Sequence, residues 1–75
     1  MNRIEEASNA LYRYFNKRFF VREVLMDIKE DENSSGFHFG TGSAIRNTLT
    51  QLGYTDVKDD YLEILKLVYV KAGIK

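Results

Sequence analysis

Apolar residues recur at helical spacing almost from the start of this chain. Ile4, Ala7, Leu11, Phe15 and Phe19 fall on one face when successive residues are turned by about 100°. Val21, Val24, Leu25 and Ile28 fall on another, rotated by roughly a quarter turn or more on the same wheel. One straight helix would carry both stripes only by being apolar over most of its circumference. The pattern therefore predicts two helices with a break near Lys17 to Phe20. A single long helix gripped on two sides is the rival, and a strand over Phe20 to Val24 fits the Arg- and Glu-rich frame less well. No glycine interrupts Arg3 to Glu32 and the chain has no proline, so the strongest interior helix breaker is missing.

Asp31 to Gly36 (DENSSG) reads as a loop, because Asp, Asn and Ser bond their own backbone and Gly permits positive φ. It is too short for a domain linker. Ile45, Leu49 and Leu52 then define a third helical face, with Thr41 or Ser43 as the expected N-cap. Gly53 is expected to end that helix in the left-handed conformation with Tyr54 packing back. In the last segment Tyr61, Leu65, Val68 and Ala72 form a stripe that Leu62, Ile64 and Tyr69 widen. Asp60 and Glu63 have capping-box spacing, and Gly73 marks the end. So broad an apolar face belongs to a central or interfacial helix. The β-branched run ILKLVYV leaves a strand as the lesser reading. The expectation is an all-α fold, a small bundle of three or four helices, in a single domain spanning residues 1–75.

Composition narrows what such a bundle can do. A chain of 75 residues buries only about 60–65% of its unfolded surface, so its core is marginal. The absence of cysteine excludes disulfides and thiolate metal sites, and one histidine cannot build a His-rich one. No metal and no cofactor is expected. Self-association or a protein partner is the remaining source of extra stability. No apolar run approaches the length of a membrane span, and Met1 to Glu6 lacks the apolar core of a secretory signal. The expected compartment is the cytoplasm, with no membrane role. Eleven basic residues balance eleven acidic ones, which disfavours wholesale coating of nucleic acid but leaves room for a local basic face.

The densest cluster of candidate chemistry is Phe37 to Asn47, where two glycines lead into a helix start. Such a turn can aim free N–H groups at an anion. His38, Gly40, Thr41, Gly42, Ser43 and Arg46 are the candidate anion-binding residues. The competing explanation is a tight turn that sends Phe37 and Phe39 into the core while Arg46 pairs with an acid. The Lys-Ser/Thr ending of a P-loop and the three-glycine spacing of a dinucleotide site are both absent. Arg46, Asn47, Asp59 and Asp60 form a candidate structural polar unit, with an Arg46–aspartate ion pair fixing the last two helices. His38 has no recognisable nucleophile partner, so a non-enzymatic role is expected.

Arg13, Lys17, Arg18 and Arg22 lie among Tyr12, Tyr14, Phe15, Phe19 and Phe20, the mixture that suits phosphates and stacked bases. On a continuous helix Arg13 and Lys17 point to one side and Arg18 and Arg22 to another, so a solvated helix face is preferred to a nucleic-acid surface. Ala44 to Leu52, a Gly-Tyr turn and a further helix have the outline of a helix-turn-helix, but the second helix is too apolar to read bases.

His38-Phe39-Gly40-Thr41-Gly42, the following Ile45-Arg46-Asn47 and the later Asp59-Asp60 before YLEIL resemble DUF6794, a family of small uncharacterised bacterial proteins. The family usually places a tryptophan after the Ile-Arg-Asn and a proline before the aspartate pair. This chain has no tryptophan, and Lys58 stands in the second place. The resemblance carries no activity. It implies that His38, Arg46, Asn47, Asp59 and Asp60 act as one unit.

Overall fold

The computed structural model of the protein describes residues 2–74. It holds four α-helices: α1 (Arg3–Arg18), α2 (Val21–Asp31), α3 (Thr41–Gln51) and α4 (Tyr61–Lys71). A 3-10 helix, Thr55–Asp60, leads directly into α4. No strand occurs among the described residues. Phe20 to Val24 and the ILKLVYV run are both helical or helix-capping, so the rival strand readings fail. The break between the first two helices falls at Phe19 and Phe20, both in extended conformation.

Each helix is delimited by local chemistry. Asn2 caps α1, its side-chain oxygen accepting from the Glu5 amide at 2.8 Å. Glu5 and Glu6 in the first turn, with Lys17 and Arg18 in the last, complement the helix dipole. α3 ends as expected. Gly53 has φ +94°, its amide bonds the Thr50 carbonyl, and the Tyr54 amide reaches back to Leu49 at 2.8 Å. That pair of bonds is a Schellman cap. Gly73 repeats it on α4, with Ile74 bonding back to Tyr69.

The expected N-caps are not formed. Gly40 occupies the cap position of α3 without a side-chain bond, and the Thr41 hydroxyl donates instead to the Asp31 carboxylate at 3.3 Å. Asp60 makes no capping bond on α4, because the preceding 3-10 helix already runs into the first turn. The connection between α3 and α4 is therefore a helical segment, unlike the short turn of a helix-turn-helix.

α1 touches every other element, and its most extensive packing is against α4. Leu11 from α1, Leu25 from α2, Leu49 from α3, and Ile64, Leu65 and Val68 from α4 are wholly buried and join one core. Burying a side chain of that kind contributes about 1.5–3 kcal/mol. α4 supplies half of these six, which is why its apolar stripe is so broad. The wholly buried Ala7 and Ser8 are small, and the Ser8 hydroxyl satisfies itself on the Glu5 carbonyl at 2.7 Å within α1.

Candidate functional site

The turn from Phe37 to Gly42 is fastened to the start of α4 by a three-residue cluster. His38 Nδ1 lies 2.9 Å from the Tyr61 hydroxyl and 3.1 Å from Arg46 Nη1. Arg46 Nη2 donates to the His38 carbonyl at 3.2 Å. A guanidinium can only donate, so Nδ1 is an acceptor and the ring hydrogen sits on Nε2. The Tyr61 hydroxyl donates to the same nitrogen, and Arg46 lies over the Tyr61 ring at 5.1 Å. Phe37 stacks on the Tyr61 ring at 6.2 Å.

Gly42 makes this arrangement possible. A β-carbon there would stand 2.8 Å from the Tyr61 hydroxyl and 3.0 Å from the Phe37 carbonyl. Only a glycine lets Tyr61 reach His38 and lets the Gly42 amide bond the Phe37 carbonyl at 2.7 Å. The second glycine of the turn is thus explained by close approach to a ring rather than to a ligand.

Gly40 and Thr41 of the proposed anion site are also occupied. The amides of Gly40 and Ala44 bond the carbonyls of Gly36 and Gly40. Asp31 already places a carboxylate on Thr41. Ser43 is half-buried and makes no side-chain bond among the described residues. Phe37 enters the core as expected, but Phe39 does not: it is 83% exposed, its ring edge-on to His38 at 5.2 Å.

The polar unit of Arg46, Asn47, Asp59 and Asp60 is not assembled. Arg46 is turned onto His38 and Tyr61, while Asn47, Asp59 and Asp60 stay exposed. Among the described residues no ion pair joins Arg46 to either aspartate. The ion pair that does tie distant elements is one the sequence reading missed. Arg3 grips Asp56 with two hydrogen bonds of 2.8 and 3.0 Å, and also bonds the Gly53 carbonyl and Glu6. That contact holds the Asp56 carboxyl below its ordinary range and raises the Arg3 guanidinium further above its own. No local spacing announces a pair separated by 53 positions.

The basic residues of α1 converge more than a helical wheel suggested. Arg13, Lys17 and Arg18 line one groove with Tyr14, Leu52 and Tyr54, about 340 Å³ in volume. Arg18 lies over the Tyr14 ring at 4.4 Å, and Arg3 over Tyr54 at 4.5 Å. Arg22 is separated from them, because it follows the helix break and extends toward Gly73 at the end of α4. Beside the groove, Lys17 and Arg18 also border the exposed Phe19 and Phe20. The signal in the sequence was the lack of any acid between Glu6 and Glu23, which leaves four cations uncompensated along the chain.

Among the described residues no three His, Asp or Glu side chains gather closely enough to hold a metal ion. Among the described residues no helix is long and apolar enough to cross a membrane. Together, fold and surface define a small all-α bundle with a glycine turn clasped to its central helix and a basic, aromatic α1 face. Comparison with protein-family models, curated proteins and solved structures finds no match.

Proposed function

We propose that this protein is a non-enzymatic binding module of the cytoplasm that acts by protein–protein interaction, through the corner between α1 and α2. The observation that carries this is the adjacent pair Phe19 and Phe20, 50% and 82% exposed. Phe19 is braced on the buried core ring of Phe15 at 6.2 Å, so the corner is a supported projection. Lys17, Arg18 and Arg22 border it. Aromatic anchors with arginine around them are the composition of interface hot spots. His38 Nδ1, engaged by both the Arg46 guanidinium and the Tyr61 hydroxyl, supports a holding role over general-base chemistry. Of the residues singled out by the resemblance to DUF6794, His38 and Arg46 are, on this reading, a fastening for the fold.

The test is site-specific photocrosslinking from position 20 in cells, set beside the Phe19→Ser/Phe20→Ser variant. A discrete adduct with one protein, and loss of that complex in a variant of unchanged circular dichroism, is the expected result. A complex that survives the double substitution would move the contact elsewhere. A crosslink to a second copy, matched by a concentration-dependent mass in sedimentation, would make the partner the protein itself.

A further inference from the structure

We propose that the groove between α1 and the Leu52–Tyr54 turn is a binding site for single-stranded nucleic acid. It goes beyond the protein contact at the α1–α2 corner: Lys17 and Arg18 border both, but the groove adds Arg13, Tyr14 and Tyr54 and does not use Phe19 or Phe20. Arg13, Lys17 and Arg18 supply three positive charges along one wall. Among the described residues none of the three is in an ion pair, and no acidic side chain lines the groove. Lys17 and Arg18 also suit the C-terminal end of the α1 dipole, but Arg13 stands mid-helix, where the dipole gives it no reason to be basic. In a chain of zero net charge, such a concentration is a local anion-attracting field.

The remaining lining identifies which anion. Tyr14 and Tyr54 stand in the groove, each with a guanidinium over its ring. Bases unstacked from a single strand pack on aromatic rings and on arginine planes alike, while nearby cations follow the phosphates. A duplex hides those base faces, and the helix-turn-helix outline that would have supplied a reading element is not formed, because a 3-10 helix stands between α3 and α4. An acidic peptide would use the charges and leave the paired rings without a role. The volume of about 340 Å³ is that of a small ligand pocket, which suits one or two nucleotides of a strand passing through.

The experiment is fluorescence anisotropy of a labelled oligothymidylate of about 12 nucleotides, titrated with the full chain. Saturable binding is expected at low salt, with log K falling against log salt at a slope of about −2 for three phosphate contacts. Affinity should drop roughly 15-fold between about 50 and 200 mM salt. Arg13→Gln/Lys17→Gln/Arg18→Gln should abolish binding while keeping the helical spectrum, with only a small fall in thermal midpoint from the lost helix-end charges. Tyr54→Leu, which keeps an apolar side chain but removes the ring, should weaken binding severalfold with the slope unchanged. Lys66→Gln, outside the groove, and Phe20→Ser, at the corner, should both bind as wild type. The Phe20→Ser result separates this proposal from the protein-contact reading. No binding at low salt would overturn the proposal, as would binding unaffected by the triple substitution. Equal competition by polyglutamate of matched charge, or preference for phosphatidylserine vesicles over the oligonucleotide, would also overturn it.

Discussion

Arg3 and Asp56 are joined by two side-chain hydrogen bonds, 2.8 and 3.0 Å long, that pin the start of α1 to the 3-10 helix. The same guanidinium bonds the Gly53 carbonyl and lies over Tyr54. One exposed side chain thus serves an ion pair, a helix C-terminus and an aromatic ring together. Two-pronged geometry is what only arginine offers, so lysine at this position is not an equivalent replacement.

The lowered Asp56 carboxyl has a definite consequence for acid stability. A group depressed in the folded state stabilises above its unfolded value, and that contribution is lost as pH falls through the folded value. Thermal midpoints measured from pH 7 downward should therefore fall across and below the ordinary carboxylate range. Asp56→Asn should lower the midpoint at pH 7 and flatten this limb. Because both side chains are exposed, added salt should narrow the difference between variant and wild type. An acid limb identical in both proteins would remove the clamp from the stability account.

Gly42→Ala should destabilise the fold by about 1–3 kcal/mol, the range for overpacking. In an open helix the same change would gain up to about 1 kcal/mol from propensity, so the sign is diagnostic. The contacts at 2.8 and 3.0 Å involve a ring hydroxyl tied to His38, on a ring stacked with Phe37, and a backbone carbonyl, neither free to yield. Urea unfolding gives the sign directly. A stabilised variant would mean the turn is looser than the geometry shows.

The His38 tautomer is accessible to nitrogen-detected NMR. With Arg46 donating to Nδ1, the neutral ring should carry its hydrogen on Nε2. In Arg46→Met the Tyr61 hydroxyl remains as the sole donor, and the Phe39 resonances should shift with the loosened ring. A hydrogen on Nδ1 in the wild type would contradict the bond to Arg46.

Tyr69 governs the alkaline side. Burial, first, and the nearby Glu32 carboxylate both push its phenol well above the ordinary value. The hydroxyl is buried without a hydrogen-bond partner. A raised value stabilises fully below the unfolded one, near pH 10, and the contribution is lost as pH rises beyond it. Tyr69→Phe should leave neutral-pH stability equal or higher, since an unsatisfied hydroxyl is removed, and should reduce the loss above about pH 10. A clear loss at pH 7 would show that the hydroxyl has a partner after all.

The helices were legible because their determinants are local. The i, i+4 stripes, Gly53 and Gly73 each act within a turn or two of chain, and each does what the pattern implies except at Phe19 and Leu62, which end exposed. Side-chain partnerships were less legible. Arg46 lay within reach of an aspartate in the sequence argument, yet it faces His38, because Gly42 brings Tyr61 up beside it. The basic face was partly legible: a wheel drawn through the break at Phe19 and Phe20 grouped Arg22 with Arg18, whereas Arg13, Lys17 and Arg18 of α1 line one groove and Arg22 belongs to α2. Asp59 and Asp60 looked like caps because spacing cannot reveal that a 3-10 helix precedes them.

The packing of α1 on α4 also sets when this protein can fold. The first helix finds its main neighbour in the last, and Ile64, Leu65 and Val68 are all wholly buried. A nascent chain emerging from the ribosome carries α1, α2 and α3 with the centre of their core still missing. Their apolar faces stay without their main cover until α4 is released from the exit tunnel. Assembly is therefore a late, all-at-once event, and a chain cut short before α4 would present those faces to chaperones and proteases instead of forming a smaller version of the bundle.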